Sequence, residues 1–156
     1  MNWDAIGAVG EVLGAVGVIV TLVYLALQIR QNSLTTRAEI RQSLAEQQIQ
    51  FINSRATDPF LRGAIDKVYS GDPLTGEEAF GVHSHCLAHV RLFENYFAQY
   101  KLGSMEVGDW AAMRKLISRH LSLDPYRNAF ESVRTTCNAD FVHEVDQILE
   151  EDSGRL

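Results

Sequence analysis

Residues 5–27 read AIGAVGEVLGAVGVIVTLVYLAL, apolar around the whole circumference of a helix and broken by one charge, Glu11. At about 1.5 Å per residue such a helix is about 35 Å long, enough for a hydrocarbon core of about 30 Å. Trp3 ahead of it and Tyr24 near its end are amphipathic rings suited to headgroup level, and Gln28 and Arg30 form a polar exit. A core helix of a small soluble domain carries one apolar stripe, so a run that is apolar on every side reads as a membrane span. A cleaved secretory signal needs a positive start, a shorter apolar stretch and a small-residue cleavage site. Here Asp4 is the charge before Glu11 and the exit reads YLALQIRQN, which fits an uncleaved anchor.

Beyond the span, no proline or glycine interrupts residues 28–54, which are rich in Gln, Ala, Leu, Arg and Glu. These are good helix formers, so the membrane helix is expected to continue as a stalk. Leu34, Ala38, Ala45, Ile49 and Ile52 recur at helical spacing, with Ile40, Leu44 and Phe51 beside them. That broad apolar face needs a partner, either the later helices or a neighbouring subunit.

Asp58-Pro59 starts a short helix that ends at Ser70-Gly71-Asp72-Pro73. Thr75 and Glu78 form a capping-box pattern for the next helix, which runs to about Lys101 with Ala79, Cys86, Val90, Phe93, Phe97 and Tyr100 as its core stripe. Asp109 is placed to cap a helix from Trp110 to about Leu121, Asp124-Pro125 opens one ending near Thr136, and Asn138 or Asp140 begins the last. Nothing alternates with period two, so no sheet is expected. The predicted fold is all-α: a transmembrane helix over residues 1–29, a helical stalk over 30–55, a helical bundle over 56–151 and a frayed tail over 152–156.

Charge sharpens this picture. The chain has 156 residues, 14 basic and 20 acidic, and the acidic excess lies after residue 55, which excludes a nucleic-acid partner because phosphate binding needs clustered Lys and Arg. Arg30, Arg37 and Arg41 follow the span and no Lys or Arg precedes it, so the N-terminus is expected outside and the bundle in the cytoplasm. Cys86 and Cys137 then sit in a reducing compartment as structural thiols.

Within the span, Gly7, Gly10, Gly14, Gly17 and Thr21 fall within about 80° of one another on a helix, one smooth stripe with a GxxxG spacing at Gly10 and Gly14. The stripe predicts self-association or docking on another membrane helix. Glu11 borders it. It either snorkels to the near interface, contacts a partner helix, or lines the mouth of an oligomeric cation pore.

The residues Trp3, Ala5, Ile6, Gly7, Glu11, Gly14, Tyr24, Gln28, Ile29, Arg30, Gln31 and Asn32 resemble the opening of a widespread uncharacterised family of small bacterial proteins with one N-terminal transmembrane helix. The resemblance covers the first fifth of the chain. It implies an inner-membrane location and an anchored helical architecture, and it carries no catalytic residues.

Candidate chemistry is sparse. His83, His85 and His89, with Cys86 and Glu94 nearby, include an i, i+4 histidine pair able to hold zinc if His120, His143 or Glu144 joined it. There is no HExxH, no CxxC, no nucleophile elbow and no phosphate loop. Phe93, Tyr96, Phe97 and Tyr100 read as core aromatics before they read as a pocket. No cofactor is therefore expected, and the expected partners are the bilayer and other membrane helices or further copies of the chain. The expected role is non-enzymatic: a homo-oligomeric scaffold or accessory subunit of a membrane complex. The alternatives are a small cation channel with a Glu11 ring, or a metal-dependent enzyme or sensor using His85 and His89.

Overall fold

A computed structural model describes the backbone of residues 3–153 and the side chains of 9–11 and 13–152. The protein is all-α, and no strand occurs among the described residues. The helices are α1 (Trp3–Thr57), α2 (Pro59–Ser70), α3 (Gly76–Lys101), α4 (Val107–Leu121), α5 (Asp124–Val133), which tightens into a 3₁₀ turn at Arg134–Thr136, and α6 (Ala139–Ser153). Two compact units are present, one ending at Ile40 and one beginning at Arg41. Their boundary falls inside the stretch read as a stalk, so residues 41–57 belong with the bundle.

In the first unit, α1 from Val9 onward is long and apolar enough to cross a membrane. Its most apolar window has a mean hydropathy of 2.4, and none of that window is buried. Val9, Leu13, Ile19, Leu22, Leu27 and Ile29 all expose more than half their surface.

In the second unit, α3 is the central element and touches α2, α4, α5 and α6, while α4 packs on α5 and α6. Phe93, Phe130, Phe141, Ile117, Leu121, Val90 and Val145 are essentially inaccessible, and removing that apolar surface from water is the main force holding the bundle. Phe97 joins Trp110 at 5.5 Å and Phe141 at 5.8 Å between ring centroids. A neighbouring cluster of Ala64, Ile65, Val82, Cys86 and Ala129 seats α2 on α3 and α5.

Local signals set the helix ends. Asp58 accepts hydrogen bonds from the Phe60 and Leu61 amides, with Pro59 in the first turn. The Thr75–Glu78 capping box is complete, satisfying two otherwise orphaned donors. Asn138 Oδ1 accepts from the Asp140 and Phe141 amides and so begins α6. Gly71 and Gly103 end α2 and α3 at φ 77° and 71°, backbone angles that glycine adopts without the clash a Cβ brings.

One start differs. α4 begins at Val107 with Glu106 as its cap and no side-chain capping bond, so Asp109 lies inside the first turn, where a carboxylate is favoured by the helix dipole. Glu106 instead pairs with Arg41 at 2.9 Å.

The apolar positions of the predicted stalk separate into two faces. Ile40, Leu44, Gln47, Gln48, Phe51 and Arg55 are the partly or fully buried residues after position 39 in α1, a stripe centred about 120° from Leu34, Ala38, Ala45, Ile49 and Ile52 by helical geometry. Those five remain exposed, Ile49 and Ile52 by 56% and 55%. Leu44 and Phe51, beside that face, are thus among the residues that meet the later helices. Tyr96 fixes that contact by donating to Leu44 O at 3.1 Å and to Gln48 Oε1 at 2.8 Å.

Candidate functional site

The bundle holds an imidazole cluster under the last turns of α1. His85 and His89, one turn apart on α3, expose 8% and 3% of their surface. Phe51 of α1 covers both, with ring centroids 4.3 Å from His85 and 4.1 Å from His89. His89 also meets Phe93 at 4.2 Å and the His120 ring edge-on at 4.7 Å. Its Nδ1 is hydrogen-bonded with the Tyr126 hydroxyl at 3.2 Å, whereas its buried Nε2 has no hydrogen-bond partner among the described residues. His120 Nδ1 donates to Leu116 O at 2.8 Å.

Burial sets the electrostatics of this cluster. It lowers the pKa of His89 to about 3, with His120 and His85 adding to the effect. Burial also lowers His85, helped by Arg55 and His120, and lowers His120, where the Leu116 carbonyl works the other way. An imidazolium in this apolar box would lose its hydration and gain no counter-charge, so all three rings are neutral near pH 7. Burial likewise raises Tyr126 and pushes the Cys86 thiol up to about 12, far from the thiolate a nucleophile needs.

The cluster leaves little free space. The cavity lined by Arg55, Tyr69, His85, Cys86 and Tyr126 measures about 20 Å³, room for about one water.

The other potential metal donors are dispersed and engaged. Half-buried His83 lines a groove with Leu74 and Ala79. Glu94 receives Arg91 at 2.7 Å and the Asn138 amide at 2.6 Å. His143 pairs with Gln147, and Glu144 pairs with Arg114 at 2.9 Å. Among the described residues no three His, Cys, Asp or Glu side chains come together as a metal site. Both cysteines are free thiols.

The core stripe read along α3 omitted His85 and His89. The missed signal is the series Val82, His85, His89, Leu92 and Tyr96, all buried, whose steps of three and four residues mark a second inward face. Ala79, placed in the expected stripe, is exposed, and Tyr100 is half-buried and stacked on Trp110 at 5.2 Å.

In the first unit, a Cβ built on Gly10, Gly14 or Gly17 would meet nothing within 4 Å. The surroundings of Gly7 lie outside the described residues. Thr21 Oγ1 donates to Gly17 O at 2.8 Å, which satisfies its hydroxyl within the helix, and Glu11 is exposed. Comparison with family models, with characterised proteins and with solved structures gives no match.

Proposed function

We propose that this protein is a single-pass protein of the bacterial inner membrane, with its N-terminus outside and its bundle in the cytoplasm. It acts by assembly, as a homo-oligomeric scaffold or as an accessory subunit of a larger membrane complex. The observation that carries this reading is the state of α1 over residues 9–29: apolar on all sides, unburied, and open along Gly10, Gly14 and Gly17.

Lipid accounts for the apolar sides, and a second helix accounts for the glycine side. Small residues let helix backbones approach closely, and packing of this kind drives association where no hydrophobic effect acts between helices. The exposed Ile49 and Ile52 offer a second apolar contact for a neighbouring subunit. Arg30, Arg37 and Arg41 after the span support the orientation.

Light scattering of the detergent-solubilised full chain tests the reading. Wild-type protein is expected as an oligomer, and the Gly10→Leu/Gly14→Leu variant as a smaller species. A monomeric wild type, or a variant of unchanged size, refutes the homo-oligomeric form of the reading.

A further inference from the structure

We propose that the His85–His89–His120 cluster is an acid-sensitive latch that holds residues 41–57 of α1 on the bundle and releases them when its rings are protonated. The geometry carries the argument. α1 meets α3 here through side chains, and Phe51 lies across both imidazoles at 4.3 and 4.1 Å. A third imidazole, His120 of α4, stands 4.7 Å behind His89. The three rings therefore cannot all become cations without mutual repulsion.

The groups facing the cluster offer protonated rings no relief. Arg55 of α1 acts on His85 and also lies over the Tyr69 ring of α2 at 5.7 Å. Arg119 of α4 acts on His120. Burial keeps Cys86 of α3 and Tyr126 of α5 neutral, so neither supplies a counter-charge. Arg55 is the sharpest of these, because α1 itself brings a fixed cation to the imidazoles, and each added proton then repels the helix that carries it.

The direction follows from linkage. A released histidine titrates near its ordinary pKa of about 6.5, whereas the latched rings sit below that value. Latching is therefore at full strength above about pH 6.5 and weakens as the pH falls, since only the released state takes up the protons. For His89, lowered to about 3, a drop from pH 7 to pH 5 shifts the equilibrium toward release by up to about 25-fold, the limit reached when release returns the ring to its ordinary pKa. His85 and His120 shift it in the same direction.

Hydrogen exchange of the full chain in detergent tests the latch, with rates corrected for the intrinsic effect of pH. The protection factors of amides 41–57 are expected to fall several-fold, and by up to about 25-fold for His89 alone, between pH 7 and pH 5, while those around Phe141 and Val145 of α6 hold. His89→Phe keeps an aromatic ring and removes the titration, so its fall should be smaller than that of the wild type. His85→Phe provides a second arm should His89→Phe not fold. Constant protection in the wild type overturns the proposal, as does a full acid response retained in the variants that fold.

Discussion

Removing the Phe51 ring should free the last turns of α1 while leaving the rest of the bundle intact. Phe51 is half-buried, and its ring contacts are the two imidazoles at 4.3 and 4.1 Å. Truncating a fully buried phenylalanine costs about 3–5 kcal/mol, and half-burial brings Phe51→Ala to about 2 kcal/mol. That loss falls on docking, because the caps and core of α2 to α6 do not use this ring. An equilibrium shift of about 2 kcal/mol is about 30-fold. Released helix ends fray, since a polar helix without tertiary packing is marginal in water. Hydrogen exchange of the full chain in detergent at pH 7 should therefore show amides 41–57 exchanging about 30-fold faster, with those around Phe93 and Val145 unchanged. Acceleration spread evenly over α1, α3 and α6 would show that Phe51 belongs to one cooperative core, and no acceleration would show that it holds nothing; either refutes the reasoning.

Tyr96→Phe removes the hydrogen bonds to Leu44 O and Gln48 Oε1; it should cost about 1 kcal/mol, speeding exchange of amides 41–57 about 5-fold at pH 7. Thr75→Ala opens the capping box at the start of α3. It should cost about 1 kcal/mol and lower the thermal midpoint by about 4 °C, followed by circular dichroism.

Much of the helix pattern is legible along the chain because its punctuation is local. Asp58-Pro59, Thr75 with Glu78, and Asn138 each act on amides two or three residues away, so their chemistry does not depend on the tertiary structure. Asp109 misled because a carboxylate in the first turn resembles a cap when the true start, Glu106, makes no capping bond of its own. The docked face of residues 41–57 was harder to read, because two of its members are glutamines and one is an arginine. Gln48 takes the Tyr96 hydroxyl, Gln47 takes Asn95 Nδ2 at 3.3 Å and Arg55 stands over Tyr69. Hydrophobic periodicity gives such residues no weight, and it instead favours Ile49 and Ile52, which remain open. The same bias left His85 and His89 out of the expected core stripe, although both, with His120, stand among the candidate metal donors; their role as packed core rings depends on α3 meeting α4.

The choice of histidine at these positions has its own physical consequence. Leucine or phenylalanine at 85 and 89 would fill a comparable space against Phe51 without bringing a ring nitrogen into it. His89 Nε2 is buried and unpartnered among the described residues, and an unmade hydrogen bond of this kind costs about 1–3 kcal/mol. What histidine adds is a contact that depends on pH, and it is placed where α1 meets the bundle, not at the Phe97, Phe130 and Phe141 rings that hold the bundle itself. Loss of the contact on acidification would thus centre on that joint, which reaches the central core at Phe93, 4.2 Å from His89. The central core, with its buried phenylalanines and its cluster around Val82 and Ala129, contains no ionised group that the same change in pH would discharge.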